Sequence, residues 1–217
     1  MDNIDLDAAE RHKIKVKNTP GAPTYAVAEI TLAALLSIAR QIIPTNEDMH
    51  NGIWKKRMGF CLSGSTVLLI GYGRIGKQFA KLLEPFGVEL LIYDPLFTEV
   101  PLVELLPEAD IISLHASGNT PLLGLKELAL IRKPFIILNS ARGGLVDEDA
   151  LYNFLGSQSY YWADTFSEEP YSGILTKHPN AVLTPHIATY TKQCREQMEA
   201  QAVYNLLEAL GDAKQVP

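Results

Sequence analysis

Cysteine is scarce in this chain: Cys61 and Cys194 are the only two in 217 residues. Their separation gives neither a disulfide framework nor a metal-ligand spacing, so two reduced thiols in a cytoplasmic protein are expected. A basic excess is missing too. The formal net charge of −6 argues against a broad footprint for nucleic acid, although one local arginine can still bind a small carboxylate. No apolar run reaches membrane length; the longest, Ile30 to Ala39 with Ser37 inside it, is about half a span. Met1-Asp2-Asn3 leads into acidic sequence rather than an apolar leader. Internal repeats and low-complexity linkers are also absent, and the length suits one well-packed domain. The expectation is a soluble, cytoplasmic protein with no metal, no membrane partner and no nucleic-acid partner.

What the chain does have is a regular alternation of short apolar runs with amphipathic stretches, the pattern of parallel βαβ units. Strands are expected at Thr66–Ile70, Val88–Tyr93, Asp110–Leu114, Phe135–Leu138, Tyr160–Ala163 and Ala181–Leu183. Most are continuous apolar runs, as strands covered on both faces should be. After Gly73, residues Ile75, Phe79, Leu82, Leu83 and Phe86 fall on one helical face, and Pro85 and Gly87 stop that helix. Asp147 is placed to cap a helix through Ala150, Leu151 and Phe154. Two longer helices lie outside the alternating core. One runs from about Thr24 to Arg40; the other follows Thr189 or Thr191 and ends at Gly211. The architecture implied is α/β, a doubly wound parallel sheet with flanking helices.

Gly71-Tyr72-Gly73-Arg74-Ile75-Gly76 is a GxGxxG turn. The pattern alone is weak. Here it follows an apolar strand, opens an amphipathic helix, and has Asp94 at the end of the next strand, 18 residues beyond Gly76. The first glycine allows the tight turn, the second lets the backbone approach a pyrophosphate, and the third lets helix and strand pack closely. Asp94 would accept hydrogen bonds from the adenosine ribose. A 2′-phosphate there would meet a negative charge, so NAD is expected over NADP.

A second set of candidates lies where later strands end: Arg142, Asp164, Glu169 and His186. Ligands bind at the carboxyl ends of strands in such sheets. Singly, each has a plainer reading: a surface cation, a helix cap, a solvated loop charge and a hydrogen-bonded histidine after Pro185. Together, beside a nicotinamide site, they fit reduction of a 2-oxo acid. That chemistry needs a cation for the carboxylate and carbonyl oxygen, a proton donor for the developing alkoxide, and a carboxylate to hold the imidazolium charged.

With these residues in place, the sequence resembles the D-isomer-specific 2-hydroxyacid dehydrogenases, of phosphoglycerate dehydrogenase-like type. The resemblance runs from Asp2-Asn3-Ile4-Asp5-Leu6 and Asn18-Thr19-Pro20-Gly21 through Val27-Ala28-Glu29, Gly52-Ile53-Trp54, the glycine turn, Tyr93-Asp94-Pro95 and Ile112-Ser113-Leu114-His115. Its most specific blocks are Asn139 to Glu148 and Thr184-Pro185-His186-Ile187. It implies a Rossmann-type fold and NAD as cofactor. Arg142 would bind the substrate carboxylate, His186 would be the acid/base, and Glu169 would pair with it. Asp164 would hold the nicotinamide carboxamide, while Arg74 and Ile75 would offer backbone amides to the pyrophosphate. Ser140 and Ala141 would flank the nicotinamide, and His115 would sit near the cofactor in a structural role.

Two local departures stand out. The loop Ala116 to Leu122 lacks the family's usual Pro and Thr-rich stretch, so its polar cofactor contacts are not carried over. Tyr160-Tyr161-Trp162-Ala163 replaces the small residues usual before Asp164, so that strand must pack differently. The resemblance also implies that 1–217 is a single NAD-binding domain, with a core at about 19–188. Residues 1–18 and 189–217 would join a substrate domain that this chain lacks, as a truncated or fragmentary form would. A homodimer through Thr24–Arg40 and Asn51–Arg57 is implied, as is a small 2-hydroxy or 2-oxo acid substrate. The alternative is a non-catalytic NAD-binding dimerisation module of the same family, akin to its corepressors.

Overall fold

Six short apolar runs form β1 (Thr66–Ile70), β2 (Glu89–Tyr93), β3 (Ile111–Leu114), β4 (Ile136–Asn139), β5 (Tyr160–Ala163) and β6 (Ala181–Leu183) in a computed structural model. The structure describes residues 4–132 and 134–211. The Asp2-Asn3 match and the outer ends of both expected flanks, 1–3 and 212–217, lie outside the described residues. All six strands pair in parallel in the order β2-β1-β3-β4-β5-β6. From β1 the chain steps out to β2, crosses back over β1 to β3, and continues outward on that side. The direction therefore reverses between the carboxyl ends of β1 and β3, where a crevice must open.

Side chains alternate across the sheet, as the two-residue strand period requires. Val67, Leu69, Ile111, Leu138 and Trp162 face one helical layer, and Leu68, Ile70, Ile112, Ile137 and Tyr161 face the other. The first layer is α2 (Thr24–Ala39) and α4 (Arg74–Leu83), which pack on each other through Ala28, Leu35, Phe79 and Leu83. The second holds the short helices α5 (Leu102–Leu105) and α6 (Leu125–Leu128) and then α7 (Glu148–Phe154). The bulk of β5 divides between the layers. Trp162 fills the α2 side, while Tyr161 goes to the other and places its hydroxyl 3.3 Å from Asn139 Nδ2. Central strands are buried on both faces; β2 and β6, at the edges, are half-buried.

Helix ends follow local chemistry. Asp147 caps α7 by accepting from Ala150 N at 2.9 Å. Thr191 caps α8 (Lys192–Leu210) by accepting from Cys194 N, and Gly211, at φ +87°, ends it. The α4 helix stops at Leu83, a turn short of its apolar stripe. The stripe finishes in a 3-10 turn, Glu84–Phe86, because Pro85 cannot continue α-helical bonding. The spacing gave no sign of α3 (Ile42–His50), which Gln41 separates from α2 by a left-handed residue at φ +54°. Pro44 sits in its first turn, where a missing N–H costs nothing. Outside the sheet, α8 lies along residues 15–18: Lys17 pairs with Glu208 at 2.8 Å, and Asn205 Nδ2 donates to Asn18 O. The other flanking helix, α1 (Leu6–Arg11), is capped by Asp5. No single helix among the described residues is long and apolar enough to cross a membrane.

Candidate active site

A cleft of about 600 Å³ opens at the β1/β3 switch point, lined by Gly71, Gly73, Arg74, Ile75, Asp94, Leu96, His115, Ala116 and Ser117, among others. The three glycines differ in what surrounds them. At Gly71, φ is +96° and a Cβ would lie 2.6 Å from Ala116 N. At Gly76 it would overlap the Gly71 carbonyl. At Gly73, the α4 N-cap, it would meet nothing within 4 Å. The outer two glycines thus close the turn on itself, and the middle one leaves space open before a helix N-terminus. That is the shape of an anion cradle. Asp94 braces it: one carboxylate oxygen accepts from Tyr72 N at 2.7 Å and the other from Leu96 N at 2.9 Å.

Two strands past β4, the same sheet edge carries a second cleft of about 600 Å³, which contains both Glu169 and His186. Their contact is direct: His186 Nδ1 lies 2.8 Å from Glu169 Oε2. The other carboxylate oxygen accepts from Phe166 N at 3.1 Å. Partial burial pushes the Glu169 carboxyl up. The hydrogen bonds from His186 and Phe166, with the His186 charge, outweigh that and leave it below the usual carboxylate range. Since Nδ1 is taken, the imidazole presents Nε2 outward. Both side chains are substantially exposed, at 52% for His186 and 38% for Glu169, so a substrate can reach them.

Comparison with known proteins decides what this pair of clefts belongs to. Residues 32–188 match the sequence model of the D-isomer specific 2-hydroxyacid dehydrogenase NAD binding domain. A glyoxylate reductase of Thermococcus litoralis is 36% identical over 233 residues, covering 95% of this chain and 70% of its own length. The human D-3-phosphoglycerate dehydrogenase is 36% identical over 225 residues, covering 94% of this chain and 42% of its own. A crystal structure of a Thermus thermophilus protein superposes with a TM-score of 0.90 at 38% identity, over 97% of this chain and 73% of that one. The chain belongs to the D-isomer specific 2-hydroxyacid dehydrogenase family. It is an NAD-binding domain of that family, and the open cradle at Gly73, backed by Asp94, fits a dinucleotide.

Other residues that the sequence singles out in this dehydrogenase domain fall into place unevenly. Arg142 is exposed just after β4, its Nη1 donating to Ala141 O at 2.7 Å; it does not line the Glu169–His186 cleft. Its turn nevertheless packs on the Glu169 loop, because a Cβ on Gly143 would overlap the Phe166 and Ser167 backbone. The Ser140 hydroxyl is buried, 3.2 Å from Thr31 Oγ1 of α2, and Ala141 N donates to Asn139 Oδ1. His115 directly follows β3 below the glycine turn, with Nε2 2.9 Å from Ser113 Oγ and its ring tilted against Phe79. Its Nδ1 is buried without a partner, and burial pushes the imidazole down to about 3. Asp164 is fully buried.

The sequence did not single out the groups that hold these side chains. Asn139, fully buried, donates through Nδ2 to Arg142 O at 2.9 Å and so clamps the 139–142 turn. Tyr171 stacks on Phe166 at 4.1 Å and donates to Glu148 Oε2 at 2.6 Å, tying the Glu169 loop to α7. Burial raises both the Tyr171 phenol and the Glu148 carboxyl, although their mutual hydrogen bond draws Glu148 back down. Asn139 stood in the motif block, but nothing in its identity distinguishes a clamp from a solvated turn residue.

Proposed function

We propose that this chain carries the cofactor site and acid–base pair of an NAD-dependent oxidoreductase acting on the CH–OH group of a small D-2-hydroxy acid, of glycerate or phosphoglycerate type. The observation that carries the reading is the 2.8 Å contact between His186 and Glu169 on the sheet edge that also holds the glycine turn. Bound NAD supplies the hydride acceptor. Backbone amides at Arg74 and Ile75 hold the pyrophosphate at the α4 N-terminus, and Asp94 takes the ribose hydroxyls with its remaining lone pairs. Ser140, Ala141 and His115 shape the cofactor side of the site from the ends of β4 and β3.

In the oxidative direction His186 Nε2 accepts the substrate hydroxyl proton, and in the reductive direction it returns it. Glu169 fixes the ring orientation and compensates its charge while the proton resides there. Arg142 pairs with the substrate carboxylate and polarises the neighbouring oxygen. Similarity to a glyoxylate reductase and a phosphoglycerate dehydrogenase supports the substrate class.

The protein is further read as a cytoplasmic homodimer. Tyr25 of α2 and Trp54, in the two segments through which the resemblance implies that a second copy packs, are 65% and 82% exposed, and the adjoining Met58 is 95% exposed. Exposed aromatic and sulfur side chains are the composition of an interface core.

The test is NADH consumption with glyoxylate, hydroxypyruvate and phosphohydroxypyruvate. His186→Ala should lower turnover by about 100-fold or more and leave NADH affinity nearly unchanged. Equal loss of both would remove the proton-transfer role. NADH binding with no turnover of any acid would instead make the chain a cofactor-binding module.

A further inference from the structure

Glu169 reaches His186 from a loop rather than from a helix or strand, so its aim depends on what holds that loop. One carboxylate oxygen, Oε2, faces His186 Nδ1; the other, Oε1, accepts from Phe166 N at 3.1 Å. Phe166 therefore sets where the carboxylate lies, and it is held twice. Its backbone packs against Gly143, where a Cβ would overlap it. Its ring is covered by Tyr171, with centroids 4.1 Å apart and planes 18° apart. Tyr171 is fixed in turn. A Cβ on Gly173 would lie 2.5 Å from Tyr171 Cζ, which shows how closely that backbone meets the ring. The Tyr171 hydroxyl donates to Glu148 Oε2 at 2.6 Å and accepts from Leu175 N at 3.4 Å. Glu148 is the first residue of α7, the helix capped by Asp147. Tyr171 also lines the cleft that contains Glu169 and His186.

We infer that Tyr171 is the positioning residue for Glu169: by stacking on Phe166 it carries the fixed geometry of α7 to the carboxylate that orients His186. This rests on the acid–base reading of His186 and deepens it. The Glu169–His186 pair is exposed, and an exposed pair of this kind holds two side chains together only weakly. A carboxylate anchored at Oε1 keeps Oε2 toward Nδ1. Released by Phe166, Glu169 would gain rotamer freedom and turn toward water. The His186 ring would then lose the acceptor that selects its Nδ1–H form, the form that leaves Nε2 free to accept a proton.

The experiment uses Tyr171→Leu and Tyr171→Phe in the whole chain. The readouts are the His186 ring nitrogens by NMR above neutral pH, the titration of the Glu169 carboxyl carbon, and NADH titration. Tyr171→Leu removes both the stack and the hydroxyl. The ratio of the Nδ1–H to the Nε2–H form of His186 should fall by about fivefold or more, what one net hydrogen bond is worth. The Glu169 carboxyl, held low by its bonds to His186 and Phe166, should titrate nearer the ordinary carboxylate range. The NADH dissociation constant should change by about threefold or less, because the glycine cradle lies in the other cleft. Tyr171→Phe keeps the stack and should give a smaller shift of both NMR signals in the same direction. Unmoved His186 and Glu169 signals in Tyr171→Leu would overturn the inference. So would a tenfold or larger weakening of NADH alongside them, the mark of general loosening. If Tyr171→Leu does not fold, Tyr171→Phe decides by the same two signals. Failure of the acid–base reading shows separately, as turnover that survives His186→Ala; the ring nitrogens are read without turnover.

Discussion

The two ends of the sheet's carboxyl edge are built by different means. At β1 the cradle is made from contiguous residues, and its shape comes from what is missing: Gly71 and Gly76 have no Cβ where a Cβ would strike backbone. At β5 and β6 the Glu169–His186 pair is made from segments far apart in sequence, and its shape comes from buried polar side chains. Asp164 binds the 184–188 turn, Asn139 clamps the arginine turn, and Tyr171 ties the Glu169 loop to Glu148. A backbone-built site fails by steric overlap and takes the fold with it. A side-chain-built site can lose its aim while the sheet stays intact.

The sharpest break of that contrast is Gly71→Ala. It combines a positive φ with a Cβ 2.6 Å from Ala116 N, so β1 and β3 must separate locally. A loss of about 2 kcal/mol or more is expected, with NADH binding abolished. Thermal unfolding checks it; an unchanged melting temperature would mean the turn is far softer than its packing indicates.

This difference also explains what could be read from sequence. The glycine turn, its strand, its helix and Asp94 are neighbours in the chain, so spacing alone exposed them. Arg142, Glu169 and His186 were legible as residues at strand ends, and their pairing only through resemblance, because no periodicity links 169 to 186. Asp164 was legible as a residue at a strand end, but its hydrogen bonds to the 184–188 turn were not. Its partners Thr184, Ile187 and Ala188 come near only when β5 and β6 pair. The α3 helix was missed for a physical reason too: Ile42 to His50 carries no apolar stripe, and only Asp48, bound by Arg57 at 2.7 Å, is buried in it.

Next in size is an acid effect at the cradle. His115 lies beneath the glycine turn with its imidazole pushed down to about 3 from 6.5. The depressed value means that the folded protein holds the neutral ring while the unfolded chain takes up a proton. Its contribution is therefore complete above about pH 6.5 and is lost as pH falls toward 3, at a slope of up to about 1.4 kcal/mol per pH unit. Glu148, whose carboxyl is raised from 4.5, works in the opposite sense: its contribution is present at low pH and fades as pH rises through its folded value. Melting temperatures between pH 7 and 5 should fall for the unsubstituted chain and fall less for His115→Gln. Parallel slopes would show that His115 is already solvated.

Smaller again is Asp94→Ala. Two backbone donors, Tyr72 N and Leu96 N, lose their acceptor, which costs about 1 kcal/mol for each bond left unmade. The larger consequence is in ligand choice. NADH should weaken much more than NADPH, and a preference that does not move in paired titrations would take Asp94 out of the ribose site.

The smallest effect on stability belongs to Gly73→Ala, and it separates shape from function most cleanly. Gly73 has φ −76° and ψ −159°, a conformation any residue adopts, and a Cβ there touches nothing within 4 Å. Removing glycine's freedom in the unfolded chain should leave stability unchanged or raise it by about 0.5 kcal/mol. The empty space at Gly73 lies before the α4 N-terminus, where the phosphates need backbone contact, and a methyl group would hold them off. NADH affinity should therefore drop by about tenfold or more, the equivalent of one lost charge-assisted hydrogen bond, in a protein that melts no earlier than before. Undiminished NADH binding in this variant would mean that the pyrophosphate sits elsewhere in the cleft. The glycine turn would then be a packing device alone, and the contrast between the two ends of the sheet would collapse.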